Sequence, residues 1–242
     1  RVALGASRGR LAAQFLTARR RNGFAGVHEV LSGTRVIQRL KTSARPVLDS
    51  IAPGASAAGT SARRVGPYGI GESLGPTGAG ELLRGYDQSL RRNVWIHRLS
   101  PGAPPVPSLV RDVSRPGRLR WLSGRRTDHE AWDAYEALDG RPLLAAAAEP
   151  QPWRRVKHWL LDLAREVDAG LSDGSLPSLA LDHVWVTRDG HAKLLDFRAP
   201  GVAPMADSPT APSLRSAQDF LSSAARCVQP SGRLPLSAST FL

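Results

Sequence analysis

The chain has 242 residues, of which 41% are hydrophobic, and a formal net charge of +12. This length and composition can bury a sizeable core, which excludes a protein that is disordered throughout. No apolar run reaches the about 18 residues that cross a bilayer, and the single cysteine, Cys227, excludes an internal disulfide and a cysteine-based zinc cluster.

Residues 1–64 carry most of the positive charge. They contain 12 lysines and arginines against only Glu29 and Asp49, whereas the rest of the chain contains 21 basic and 19 acidic residues. Such a segment can bind nucleic-acid phosphates or an anionic membrane surface, where each basic residue contributes about 1 kcal/mol, but a solvated basic linker has the same composition. Residues 52–64 lack large apolar side chains, which predicts a flexible linker and a domain boundary at this point.

Strands punctuated by glycine follow the linker. The segments Tyr68–Leu74, Glu81–Tyr86 and Val94–Leu99 are joined by short turns, which predicts an antiparallel meander. Residues 101–118 contain too much proline and glycine for a long helix. A further strand is predicted at Ala131–Leu138, before an Asp-Gly turn.

One long helix and one hairpin are predicted in the second half of the chain. Apolar residues recur at spacings of three and four from Trp153 to Leu171, and Gly174 follows, which is typical of a helix with one buried face. The segments His183–Val186 and His191–Phe197 flank an Asp-Gly turn and are expected to form a β-hairpin. A shorter apolar helix is predicted at Ala217–Val228.

Three segments carry the functional inference, and the first is the glycine-rich turn between the first two predicted strands. Gly75, Gly78 and Gly80 would let the backbone approach a ligand closely because they have no side chains. The stretch resembles the glycine-rich loop that covers the ATP phosphates in protein kinases, although Thr77 stands where that motif has its second glycine. Taken alone, it predicts only a glycine-rich hairpin turn.

The second segment, Asp87–Leu99, resembles the next strand of a kinase, in which Val-Ala-Ile-Lys supplies a lysine that pairs with phosphates. His97 occupies the position of that lysine. A histidine is mostly neutral at pH 7 and is shorter than lysine, so it cannot hold phosphates as a fixed cation. Strand alternation directs Arg98 to the opposite face, which leaves Arg84 on the preceding strand as the candidate substitute.

The third segment, Leu176–Arg198, resembles the kinase stretch that runs from His-Arg-Asp through an asparagine and a hairpin to Asp-Phe-Gly. Asp196 retains the metal-binding aspartate and is followed by phenylalanine, but Arg198 replaces the glycine. The resemblance places Ser178 at the catalytic aspartate and His183 at the metal-binding asparagine. It therefore leaves Asp196 as the residue expected to hold Mg²⁺.

The resemblance implies an α+β, protein kinase-like two-lobed fold. We expect a small antiparallel β-lobe at residues 65–148 and a truncated helical lobe at residues 149–242. Phosphoryl transfer needs a cation on the phosphates, metal ligands and an orienting carboxylate, and the chain retains at most one of them. No glutamate lies between Leu99 and Leu119 to pair with the missing lysine. We therefore expect a catalytically impaired domain, a pseudokinase, that acts as a regulatory or protein-interaction module and binds ATP and Mg²⁺ weakly or not at all.

Two alternatives remain open. The first is a divergent active serine/threonine protein kinase, in which His97, Arg84, Ser178 and His183 take altered roles. The second is a basic module that binds nucleic acid or an anionic membrane through residues 1–64, with the kinase-like part as a scaffold.

The basic segment contains a further resemblance. Gly26, His28, Leu31, Gly33 and Thr34 match the closing stretch of the RDD family of bacterial membrane proteins. This resemblance implies a parent membrane protein with the kinase-like domain on its cytoplasmic side, in agreement with the basic charge, the single cysteine and a sequence that begins with arginine rather than methionine. We expect a protein partner and an anionic membrane surface, rather than nucleic acid, as the binding partners.

Overall fold

The computed structural model describes residues 45–48, 63–203, 212–228 and 230–231. These residues form a six-stranded antiparallel sheet followed by a mostly helical part that contains a small three-stranded sheet. The residues that carry the RDD resemblance and most of the predicted linker lie outside the described ranges. In those ranges no helix is both long enough and apolar enough to cross a lipid bilayer.

The large sheet forms the β-lobe. Its strands, in spatial order, are β1 (Arg64–Val65), β2 (Tyr68–Pro76), β3 (Gly80–Asp87), β4 (Arg92–Leu99), β6 (Ala131–Glu136) and β5 (Trp121–Arg126). All neighbouring strands are antiparallel. The predicted meander and the predicted strand at Ala131 are confirmed. The sequence does not predict β5, because this edge strand is only partly buried and its residues do not alternate between apolar and polar.

Both faces of the central strand β4 are buried in the middle of the strand. On β4, Val94 and Ile96 point into an outer apolar cluster that includes Trp132. Trp95 and His97, the intervening residues, point towards the helical part of the chain. Because side chains alternate along a strand, this second face of β4 lines the cleft between the two parts.

The connection between β4 and β5 contains a four-residue helix, α1 (Ser108–Arg111), none of whose residues is buried. This confirms that residues 101–118 hold no long helix. Arg126 fixes the connection instead: its guanidinium donates to the Asp133 carboxylate at 2.6 Å and to the carbonyl oxygen of Ala103 at 3.1 Å. The connection between β4 and β5 is therefore held to the sheet by Arg126 and its ion pair with Asp133, and not by a buried helix.

The helical lobe follows β6. Its elements are β7 (Gly140–Pro142), α2 (Leu143–Ala147), β8 (Gln151–Pro152), α3 (Trp153–Asp173), β9 (Val184–Thr187), β10 (Ala192–Leu194), α4 (Leu214–Cys227) and β11 (Pro230–Ser231). Strands β10, β9 and β7 form a sheet in that order. Helix α3 buries Val156, Trp159, Leu163 and Val167 on one face and ends at Gly174, whose φ of 73° is left-handed. The predicted helix and hairpin are confirmed.

Helix α4 packs its apolar face onto the core of this lobe. It begins at Leu214, three residues before the predicted start, because the Ser213 hydroxyl accepts a hydrogen bond from the Ser216 amide at 3.0 Å and caps the helix. Phe220 and Ala224 are buried in the same cluster as the α3 residues. The described part of the chain is thus a two-lobed α+β fold, with its lobes in contact across the cleft.

Candidate functional site

The predicted site residues lie in the cleft between the two lobes. His97 on β4 faces Phe197, and the centroids of the two rings are 4.7 Å apart. Nη2 of Arg198 donates to the carbonyl oxygen of Pro76 in the glycine-rich turn at 3.1 Å. The structure therefore brings together the three segments on which the kinase resemblance rests, including the one that carries Asp196.

Glycine is required at several positions of the turn between β2 and β3. Gly75 and Gly78 have φ values of 122° and 84°, which side-chain-bearing residues rarely adopt. A Cβ at Gly80 would lie 2.1 Å from the carbonyl oxygen of Arg98, so only glycine permits this approach of β3 to β4. The Thr77 amide donates to the Gly80 carbonyl oxygen at 2.9 Å. The turn therefore resembles the phosphate-covering loop in shape, but its Thr77 amide is bonded within the turn.

A threonine and a histidine close the cleft beneath this turn. Thr77 is 2% exposed, and its Oγ1 lies 2.6 Å from Nε2 of His97. Burial lowers the pKa of His97 to about 4, while the nearby Asp133 charge opposes the shift and Arg126 adds to it. The ring is therefore neutral at pH 7 and bonded to its own chain, so His97 does not replace the cation of a kinase.

Two tryptophans join the lobes elsewhere in the cleft. Trp95 on β4 and Trp185 on β9 are in edge-to-face contact, with ring centroids 5.0 Å apart. Both rings are nearly fully buried, in one cluster with Leu82. Nε1 of Trp185 donates to the carbonyl oxygen of Asp139, between β6 and β7, at 3.2 Å. The lobes therefore contact each other through aromatic side chains in the space between them.

A buried guanidinium binds Asp196. The Arg118 side chain is 1% exposed; its Nη2 contacts Oδ1 of Asp196, and its Nη1 lies 3.9 Å from Oε1 of Glu166. Glu166 in turn accepts a hydrogen bond from Nη2 of Arg115 at 2.8 Å. Burial raises the pKa of Asp196, and the charge of Arg118 opposes this shift. The carboxylate that the resemblance assigns to Mg²⁺ thus already has a cation as its partner.

Sequence reasoning misses Arg118. It lies in a proline- and glycine-containing stretch without periodicity, and its partner Asp196 is 78 positions away along the chain. Gly117 allows the stretch to lie against α3, since a Cβ there would be 2.8 Å from the Glu166 Cβ. A local signal for this burial is absent from the sequence, because the contact is made entirely by tertiary packing.

The remaining predicted residues, Ser178, His183 and Arg84, lie in different surroundings. Ser178 is half-buried, and in the described ranges its hydroxyl has no hydrogen-bond partner. His183 ends a short 3₁₀ turn, and burial is the largest cause of its lowered pKa. Arg84 pairs with Glu72 on β2 at 3.0 Å. Strand pairing places Arg84 opposite Trp95 of β4, on the face of the sheet that lines the cleft, so its role as a substitute for the lysine stays a prediction.

Two contacts within the chain involve the residues around the nucleotide and metal positions that the resemblance implies. Across the described residues, no group of histidine, cysteine, aspartate or glutamate side chains is arranged to hold a metal ion. At Asp196, Nη2 of Arg118 contacts the carboxylate oxygen Oδ1, so a metal ion there would share the carboxylate with a buried cation. Beneath the glycine-rich turn, Thr77 is bonded to His97. Of the residues that the resemblance assigns to ATP and Mg²⁺, Asp196 is thus bonded within the chain, whereas Gly78 faces open space.

Comparison with known proteins identifies the fold. No protein-family model matches the sequence, and no curated protein matches it. Among solved structures, the chain is similar to the kinase domain of Mycobacterium tuberculosis PknI, with a TM-score of 0.54 and 20% sequence identity. The match covers 75% of this chain and 84% of that chain. The chain therefore has the predicted α+β, kinase-like fold.

Proposed function

We propose that this domain is a pseudokinase: a kinase-like fold that does not transfer phosphate and serves as a regulatory or protein-interaction module. The observation that carries the proposal is the filling of the cleft by its own side chains. Trp95 contacts Trp185 across it, and Thr77 is bonded to His97 beneath the glycine-rich turn. A cleft closed in this way leaves nucleotide binding weak or absent.

The distribution of charge supports the same proposal. Phosphoryl transfer relies on cations that neutralise the phosphates and on metal ions held by carboxylates. His97 is neutral because its pKa is lowered to about 4, and Asp196 is paired with Arg118. Ser178 has no charge that could orient a nucleophile. His97 and Ser178 thus lack the charge of their kinase counterparts, and the Asp196 carboxylate already has a cation as its partner.

The proposed module acts on a protein partner at the cytoplasmic face of a membrane. The basic composition of residues 1–64 supports this location, since basic residues next to a membrane are attracted to its anionic lipids. Sedimentation of the full chain with phosphatidylserine-containing vesicles, compared with neutral vesicles, tests it. Equal recovery with both vesicle types would count against the location.

Thermal unfolding of the full chain with ATP or ADP, with and without Mg²⁺, tests the proposed loss of nucleotide use. A ligand at about 100 times its dissociation constant stabilises the native state by about 2.7 kcal/mol, which corresponds to about 5–11 °C for a domain of this size. We expect no such shift at about 10 mM nucleotide. A Mg²⁺-dependent shift that disappears in Asp196→Asn would overturn the proposal, and an active kinase domain serves as the positive control.

A divergent active serine/threonine kinase is the second candidate, and one observation favours it. Arg118 places a cation in contact with Asp196, within the cleft, where a kinase has its lysine and metal charges. Phosphate incorporation from labelled ATP, with Mg²⁺ or Mn²⁺, distinguishes the candidates. Incorporation by the wild-type chain that is lost in both Arg118→Met and Asp196→Asn would establish this second function; we expect none.

A further inference from the structure

A four-residue segment ahead of the β-lobe is bound to the helical lobe. This docked segment, Arg45–Leu48, lies along the groove between α3 and the turn that joins β9 and β10. The Leu48 amide donates to the Arg188 carbonyl oxygen at 2.9 Å, and Nη2 of Arg155 donates to the Val47 carbonyl oxygen at 3.0 Å. The sequence prediction assigns these residues to the basic segment before the folded domain, whereas their contacts make them part of the helical lobe.

One end of the groove binds a guanidinium. Arg45 donates from Nη1 and Nη2 to the two carboxylate oxygens of Asp162 at 2.5 and 2.8 Å, the paired geometry that arginine forms with carboxylates. Asp162 lies on the buried face of α3, with its side chain 9% exposed, and also accepts the Ala192 amide at 3.2 Å. In the described part of the chain, its other ionisable neighbour within 4 Å is His191, at 3.4 Å. A fixed and mostly buried carboxylate is thus presented to an incoming arginine.

The other end of the groove binds an aliphatic side chain. Leu48 is 4% exposed and belongs to the core cluster of the helical lobe. Between the two ends, the Pro46 carbonyl oxygen lies so near Gly190 that a Cβ there would be 2.7 Å away. A charge pocket, backbone hydrogen bonds and an apolar pocket at fixed spacing are the elements by which folded domains recognise short extended peptides.

We propose that this groove is a recognition site for extended segments of the type Arg-Pro-x-Leu, and that the docked segment is its intramolecular ligand. A protein partner that carries such a segment binds the groove when the docked segment is displaced. A cavity of about 580 Å³ adjoins the docked segment and gives space for further partner residues; its lining includes Val47, Pro116, Leu138 and Arg188. The inference gives a surface to the interaction role proposed above and does not depend on the state of the cleft.

The docked segment competes with a free peptide for the groove, and this competition determines the expected affinity of the peptide. Covalent attachment keeps a docked segment at an effective concentration in the millimolar range. For a free peptide with a dissociation constant of about 100 µM, a competitor at about 1 mM weakens the apparent affinity about tenfold. Removing the competing side chains from the docked segment should therefore strengthen peptide binding about tenfold.

The test uses the full chain and a fluorescein-labelled peptide, Ser-Ala-Arg-Pro-Val-Leu-Asp-Ser, which has the sequence of residues 43–50. Fluorescence anisotropy should show about tenfold tighter binding to the variant Arg45→Gln/Leu48→Ala than to the wild type. Adding Asp162→Asn should remove this gain, whereas Asp168→Asn, at an exposed position of α3, should preserve it. A peptide with glutamine and alanine in place of its arginine and leucine is the control ligand.

Hydrogen exchange provides a second measurement that does not require the doubly substituted chain. The Leu48 amide is bonded to the Arg188 carbonyl oxygen and should exchange at least about tenfold faster in Asp162→Asn than in the wild type or Asp168→Asn. Equal peptide affinity for wild type and Arg45→Gln/Leu48→Ala, or equal exchange at Leu48 in wild type and Asp162→Asn, would overturn the inference. Both measurements omit nucleotide, so a nucleotide-induced shift would overturn the proposed function alone.

Discussion

Substitution of Arg118 by methionine should remove the cation bound to Asp196 while keeping most of the apolar volume. Arg118 is 1% exposed and Asp196 19% exposed, so the remaining carboxylate would lie in a mostly dry site. Removing one partner of a buried ion pair costs about 3–5 kcal/mol. We expect a loss of about 3 kcal/mol, because Asp196 keeps some contact with solvent and Glu166 retains Arg115. For a domain of this size, that loss lowers the melting temperature by about 6–12 °C.

A double-mutant cycle measured by urea denaturation of the full chain tests this magnitude. Arg118→Met/Asp196→Asn contains no unpaired carboxylate at residue 196, so we expect it to be at least about 1 kcal/mol more stable than Arg118→Met alone. Arg120→Met is the matched control, because Arg120 is exposed and its loss should change the stability by no more than about 0.5 kcal/mol.

The double-mutant cycle also gives the outcomes that would contradict a buried ion pair between Arg118 and Asp196. If Arg118→Met is as stable as Arg120→Met, the buried guanidinium does not act as the counter-ion of Asp196. Likewise, a double variant that is no more stable than Arg118→Met would show that the loss comes from packing rather than from an uncompensated charge.

Three further predictions concern the filled cleft. The pKa of His97 is lowered from 6.5 to about 4, so between these pH values the unfolded chain binds a proton that the folded chain does not. About 3 kcal/mol of stability should therefore be lost as the pH falls through this window. In urea denaturation, His97→Gln should lack this part of the pH dependence, and an unchanged pH profile would contradict the prediction. Trp95→Ala should lower the free energy of unfolding by about 3–5 kcal/mol. Added indole should raise the melting temperature of this variant more than that of the wild type, and equal increases would contradict this prediction. In urea denaturation, Gly80→Ala should lower the free energy of unfolding clearly more than Gly78→Ala. The Cβ at residue 80 would lie 2.1 Å from a carbonyl oxygen, whereas the Cβ at residue 78 would lie in open space and only strain φ, which costs about 1–2 kcal/mol. Equal losses of stability in the two variants would contradict this prediction.

Side-chain contacts connect the two lobes across this cleft. They include the edge-to-face pair of Trp95 and Trp185, the contact of the His97 and Phe197 rings, and the ion pair of Arg118. Aromatic pairs of this kind contribute about 0.5–1.5 kcal/mol beyond the area that they bury. The relative position of the lobes is therefore specified by the chain itself, as the proposed interaction module requires.

Local pattern in the sequence was sufficient for the longer regular elements, although it missed the edge strand β5 and the short helix α2. The spacing of apolar residues along α3 and the Asp-Gly turn between β9 and β10 report interactions between residues close in the chain, and both elements formed as predicted. The meander of β2, β3 and β4 followed from short strands with glycine at their ends. The order of three kinase-like segments also led to the correct fold, because each segment combines a local structure with a characteristic residue.

Tertiary structure alone decided how the cleft is filled and where the docked segment lies. Arg118 and Asp196 are 78 positions apart, and Arg45 and Asp162 are 117 positions apart. No periodic pattern in the sequence indicates such a pairing, because each side chain becomes buried and meets its partner only when distant segments pack together. The sequence by itself predicted the longer elements and the fold family that they resemble. The folded chain determined which charges are neutralised and which surfaces remain to bind a partner.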